Sequence, residues 1–236
     1  MTDVVLPSPV PDVGDLRATD RLTGPQRRFL EHFQATVFKR RFYLSGGAAL
    51  SAGYLGHRYS DDLDFFGPDP VPIRKLVAFM EQLPGLHSLQ WLLPRERTTF
   101  LITWDDQSTV KVEYRHFPFE QLHAPHPVTP FYVDSIPDLL ANKLYALIER
   151  RYELDRIDIY LMLRLLPEVT VQEAVAAAEQ KFDLRGLVLK SVLDRLGSML
   201  PEQSPEALFT PLDLGEMATF FSDRGSPHAP VPSKKG

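Results

Sequence analysis

The chain has 236 residues, with 26 Lys and Arg against 31 Asp and Glu, a formal net charge of −5 and 44% hydrophobic residues. That balance excludes wholesale disorder and a surface coated in basic charge. No apolar run approaches the roughly 20 residues that span a bilayer, the acidic, proline-broken start is not a secretory signal, and the absence of cysteine removes disulfides, thiol nucleophiles and Cys-based zinc sites; the expected compartment is cytoplasmic.

Residues 1–24 hold Pro7, Pro9 and Pro11 with little apolar periodicity and read as a flexible N-terminal arm. A helix is expected from Pro25, capped by Thr23, with Phe29, Leu30 and Phe33 as its buried stripe. Phe42–Leu44 reads as a short strand that stops at Gly46-Gly47. Ala48–Leu55 reads as a small-residue helix and Asp62–Phe66 as a second strand. Residues 71–83 carry Ile73, Leu76, Val77 and Met80 at helical spacing. Strands follow at Ser88–Leu93, Thr98–Trp104 and Thr109–His116, the last two joined by a hairpin turn at Asp105–Ser108. Glu120–Pro130, with several prolines and histidines, reads as a linker. Helices are expected at 136–151, 156–166, 171–180 and 184–200, then a short one at 216–221. The organisation is α+β: an α/β domain over 25–130, a helical domain over 131–222 and a flexible tail over 223–236.

Strand alternation puts Asp62 and Asp64 on one face and Leu63 and Phe65 on the other. Neighbouring like charges repel unless solvent or a cation offsets them, so the pair is either a solvated face or a site for Mg²⁺. Gly46-Gly47 between a strand and a helix is either a tight turn or a place where backbone approaches a phosphate closely. Strand, Gly-Gly, helix and acidic strand together place triphosphate and metal side by side, as phosphoryl or nucleotidyl transfer requires. Glu113 alternates with Val112 and Tyr114, so it belongs either to an exposed Lys/Glu face or to a third acidic position. Lys143 falls on the apolar stripe of Ile136, Leu139, Leu140, Leu144 and Leu147, so it either snorkels or points into a polar cleft. Asp155 and Asp158 lie three apart at a helix start, where an Asp commonly caps. Basic clusters at Lys39-Arg40-Arg41, Arg95 with Arg97, and Arg150-Arg151 read as solvated charge, or as phosphate contacts if the acceptor is RNA.

The run LSGGAALSAGYLGHRYSDDLDFF resembles the first motif of the AbiEii/AbiGii nucleotidyltransferase toxins, within the polymerase-β-like nucleotidyltransferase superfamily. His57, Arg58, Ser60, Asp62, Leu63, Asp64, Phe65 and Phe66 match it in position. The run DLLANKLYALIERRYELDRIDIYLML resembles the second signature through Asp138, Lys143, Ala146, Leu147, Arg150, Asp155, Asp158 and Tyr160. Two departures, Ala48 for a hydroxyl residue and Leu154 before Asp155, leave the presumed metal ligands in place.

The resemblance implies a polymerase-β-like core with a mixed sheet, followed by a helical domain that completes the cleft. It implies metal ligands Asp62, Asp64 and Glu113 for Mg²⁺ or Mn²⁺, and nucleotide contacts from Gly46, Gly47, Arg58, Ser60 and Lys143. Asp155 would join Asp62, Asp64 and Lys143 in catalysis. The activity implied is transfer of NMP from an NTP to an acceptor, RNA such as a tRNA 3′ end. The biology implied is the toxin of a toxin–antitoxin or phage-defence system, with a cognate antitoxin as partner. Two alternatives are a protein or small-molecule acceptor such as an aminoglycoside, and a catalytically silent binding module.

Overall fold

The computed structural model describes residues 4–93, 97–149, 153–184, 192, 195–196 and 205–224. Its contacts divide the chain into two compact units, one of residues 10–119 with 125–134 and one of residues 1–9, 120–124 and 135–236.

The first unit is built on a seven-stranded mixed sheet. Its strands are β1 (Tyr43–Ser45), β2 (Asp62–Gly67), β3 (Leu86–Leu92), β4 (Arg97–Trp104), β5 (Thr109–His116), β6 (His126–Val128) and β7 (Phe131–Val133). The spatial order is β3-β4-β5-β2-β1-β7-β6. β2 pairs with β5, and β1 with β7, in parallel; the other neighbours are antiparallel. Helix α1 (Gly24–Phe33) starts at a capping box in which Thr23 and Gln26 satisfy each other's backbone amides. Its Phe29 and Phe33 pack on the face of the sheet carrying Leu63, Phe65, Val112 and Tyr114, all fully buried. The Phe33 and Phe65 rings lie 4.8 Å apart, and Phe65 stacks on Tyr114 at 5.3 Å. Helix α2 (Gly46–Leu50) leaves β1 and continues as a π-helical turn, Ser51–Leu55. Helix α3 (Ile73–Met80) adds Leu76 and Met80, one turn apart, to the core.

The helical unit contains α4 (Ile136–Glu149), α5 (Glu153–Leu165), α6 (Val171–Phe182) and α7 (Leu214–Arg224). Tyr145 of α4 stacks on Phe182 of α6 at 4.5 Å, and Tyr160 of α5 meets Phe220 of α7 at 5.0 Å. Among the described residues no helix is long and apolar enough to cross a membrane.

Two expectations change. The segment Glu120–Pro130 is not all linker, because β6 forms a hairpin with β7. β6 lies at the end of the sheet, where Pro127 costs no ladder hydrogen bond to a further strand. The N-terminal segment is also anchored rather than loose at particular residues between 12 and 22, and the Asp12 amide donates to the Gly53 carbonyl at 3.0 Å. Leu16 and Leu22 are buried, and the Leu16 amide donates to the Thr129 carbonyl at 3.0 Å. Those leucines are too far apart to give a periodic signal, so the prolines dominate the local reading. The helix expected at 184–200 lies largely outside the described residues. Arg95, Arg150, Arg151 and the tail from Gly225 lie outside them as well.

Candidate active site

The geometry of the acidic face follows from β2 and its neighbours. Leu63 and Phe65 face the core, so Asp62 and Asp64 face the other way and stay partly exposed. The parallel register with β5 sets Asp62 beside Lys111 and Asp64 beside Glu113. β1 sets Ser45 beside Asp64, and β4 sets Thr99 beside Glu113. A row Ser45–Asp64–Glu113–Thr99 therefore crosses four strands on one face. Asp62, Asp64 and Glu113 each offer a carboxylate oxygen, and the three oxygens lie within 4.8 Å of one another. This all-oxygen donor set fits a hard divalent cation such as Mg²⁺ or Mn²⁺.

The protein's own cations already engage these acids. Lys111 Nζ lies 2.9 Å from Asp62 Oδ2 and 2.9 Å from Glu113 Oε1. Arg97 Nη1 reaches the other Glu113 oxygen at 3.2 Å, and the Thr99 hydroxyl donates to Oε1 at 3.4 Å. Burial disfavours the Lys111 charge, but the hydrogen bonds to Glu113 and Asp62 outweigh it and hold the ammonium well above the usual lysine range.

The two glycines of the β1–α2 turn have specific steric duties. Gly46 sits at φ +66°, and a Cβ added there would lie 2.1 Å from Asp64 Oδ2. A Cβ on Gly47 would lie 2.7 Å from Arg58 Nη2 and 2.8 Å from Ser60 Oγ. The side on which a Cβ would project from each glycine is thus filled by the protein's own Asp64, Arg58 and Ser60. Arg58 and Ser60 are both buried. Arg58 Nη1 donates to the Tyr59 carbonyl at 2.9 Å, the Ser51 hydroxyl donates to the Arg58 carbonyl, and Gln26 Nε2 of α1 donates to the Ser60 carbonyl at 2.7 Å. These bonds fix the segment that delivers Asp62 and Asp64.

In the helical unit, Lys143 does not snorkel. It is 7% exposed, and its Nζ lies 2.6 Å from Asp155 Oδ1 and 2.8 Å from Asp158 Oδ2. Desolvation opposes its charge, yet Asp158 and Asp155 prevail and raise its pKa. Asp155 is therefore bound to Lys143 from the first turn of α5. Asp138, also part of the second signature, is fully buried. It accepts from Lys181 Nζ at 2.6 Å, from the Ser135 hydroxyl at 2.7 Å, and from the amides of Leu122 and His123 at 3.0 and 2.9 Å.

The structure thus groups Asp62, Asp64 and Glu113 in one unit, and Lys143 and Asp155 with Asp158 in the other. Sequence reasoning missed Lys111 as a contact of the acids, although its two-residue spacing from Glu113 already assigns both to one face. It also missed Ser45 and the buried Asp134, whose Oδ2 accepts from the Ser45 hydroxyl at 2.7 Å. No local pattern marks that pair, because 89 positions separate its members.

A family model described as nucleotidyl transferase AbiEii toxin, Type IV TA system, matches residues 28–230. An uncharacterized protein of Aquifex aeolicus (strain VF5) is 28% identical over 144 residues, covering 61% of this chain and 68% of that protein. Among solved structures, a Helicobacter pylori protein designated a nucleotidyltransferase superposes with a TM-score of 0.55 at 18% identity, over 83% of this chain and 88% of its own. JHP933 from Helicobacter pylori gives the same TM-score and identity, over 83% and 85%. At that identity the likeness concerns the fold. With the family model spanning both units and the acidic row in place, the chain is a nucleotidyltransferase and belongs to the AbiEii toxin family of Type IV toxin–antitoxin systems.

Proposed function

We propose that the enzyme transfers NMP from an NTP to a hydroxyl of RNA, such as a tRNA 3′ end, in a reaction dependent on Mg²⁺ or Mn²⁺ held by Asp62, Asp64 and Glu113. The single observation that carries this reading is the convergence of those three carboxylates within 4.8 Å. A divalent ion bound there would supply charge neutralisation for the triphosphate and acidify the attacking hydroxyl. The chain's own residues prepare the site. Gly46 leaves the space that Asp64 occupies, while Arg58 and Ser60 brace the turn beneath it. Lys143 and Asp155 serve as a positioning pair, since the Lys143 ammonium bridges Asp155 and Asp158 and fixes both. As the toxin of its system, in the cytoplasm, the enzyme would be held in check by a cognate antitoxin.

The net charge of −5 favours a second reading, with a protein or small-molecule acceptor, since RNA would have to dock on local patches. One experiment tests both. Each α-labelled NTP is incubated with the full chain and with total RNA, protein lysate or a small-molecule pool. Label on RNA supports the proposal; label confined to protein or small molecules refutes the RNA acceptor and leaves the transferase chemistry standing.

A further inference from the structure

Lys111 binds two of the three acids that would hold the cation. The parallel β2–β5 register makes a block of four side chains on one face, with Asp62 beside Lys111 and Asp64 beside Glu113. Three members are acids, and the fourth is an ammonium 2.9 Å from Asp62 Oδ2 and 2.9 Å from Glu113 Oε1. A divalent ion coordinates carboxylate oxygens at about 2.0–2.1 Å for Mg²⁺, so it and the ammonium compete for the same two acids. The two cations repel at such separations, so the ammonium opposes binding of the ion while it stays. The surroundings allow an exchange. The Lys111 side chain is 41% exposed, so its stem has solvent to swing into. Arg97 binds the Glu113 oxygen that Lys111 does not, and steadies that carboxylate independently.

We propose that Lys111 is a tethered counter-cation of the acidic site: it bridges Asp62 and Glu113 and is displaced when a divalent ion binds, so that it sets the metal affinity of the enzyme. The proposal rests on the assignment of Asp62, Asp64 and Glu113 as metal ligands. A lysine kept only for sheet stability would have no such competitive effect.

The test uses Mn²⁺ alone, titrated into the full chain and followed by the paramagnetic resonance signal of free Mn²⁺, with thermal melts in parallel. Lys111→Met keeps the aliphatic stem and removes the charge. It is expected to bind Mn²⁺ about tenfold more tightly than the wild type, equivalent to ~1.4 kcal/mol. It is also expected to melt lower without Mn²⁺ and to gain more from Mn²⁺ than the wild type does. Lys111→Arg, which keeps a cation, is expected to bind no more tightly than the wild type. Equal or weaker Mn²⁺ binding by a folded Lys111→Met overturns the role of Lys111 while leaving the metal site intact. Mn²⁺ binding by wild type and Lys111→Met that survives Asp62→Asn with Asp64→Asn, or binding absent from both proteins, overturns the metal assignment itself and the inference with it.

Discussion

Replacing Gly46 by Ala disturbs the acidic site through a single methyl group. The new Cβ would lie 2.1 Å from Asp64 Oδ2, 2.9 Å from its Cγ and 3.1 Å from its Cβ. An unstrained carbon–oxygen approach is about 3.4 Å, so the carboxylate oxygen must retreat by roughly 1.3 Å. A functional constellation tolerates displacements of only about 0.5 Å. The residue also sits at φ +66°, where a side chain costs about 1–2 kcal/mol. The combined loss of stability is expected at about 2–4 kcal/mol, with Mn²⁺ affinity falling at least about tenfold. Urea melts give the first quantity and Mn²⁺ titration of the folded variant gives the second. Gly24→Ala is the control, because a Cβ there meets nothing within 4 Å. Wild-type Mn²⁺ affinity in a folded Gly46→Ala protein would refute the argument that Asp64 depends on the missing side chain.

Other perturbations separate the roles of individual residues. Lys143→Met leaves Asp155 and Asp158 without their ammonium, so it should destabilise the fold by about 3–5 kcal/mol, and Asp155→Asn with Asp158→Asn in the same chain should recover much of that in a urea melt. Asp138→Leu removes the acceptor of Lys181, Ser135 and two backbone amides. It should cost stability on the same scale, about 3–5 kcal/mol, while Mn²⁺ affinity stays at the wild-type value. The Tyr114 hydroxyl is buried without a hydrogen-bond partner among the described residues, so Tyr114→Phe should be neutral or stabilising by about 1 kcal/mol. Burial also raises the Tyr114 pKa well above its ordinary value. Its folded form holds the proton more tightly than the unfolded form, so wild-type stability should fall as pH rises above ~10. Melts of Tyr114→Phe across that range should lack this component.

Much of the acidic site is legible locally. Alternation along β2 separates Asp62 and Asp64 from the buried Leu63 and Phe65, and alternation along β5 separates Glu113 from Val112 and Tyr114. What is not legible is register. Nothing near Lys111 says that it lies beside Asp62, because 49 residues separate them and the pairing depends on two strands in parallel. The same holds for Ser45 and Asp134. The glycine pair is visible, but the groups that press against it are supplied by the chain 10 to 20 residues later. Lys143 shows the opposite limit. Its place on an apolar stripe is plain, yet only the packing of α5 beside α4 reveals that two carboxylates hold it there. The N-terminal leucines and the β6–β7 hairpin escape a local reading because prolines carry the strongest signal in both segments and the packing partners are distant.

The most direct test of the account follows the two ends of the triphosphate. The full chain is incubated with Mg²⁺ or Mn²⁺, total RNA, and NTP carrying distinguishable labels on the α- and γ-phosphates. The predicted result is α-label on RNA and γ-label in released pyrophosphate, both abolished by Asp62→Asn with Asp64→Asn in a folded protein. RNA that stays free of α-label with every NTP, or that gains the γ-label instead, would contradict nucleotidyl transfer to RNA by this acidic site.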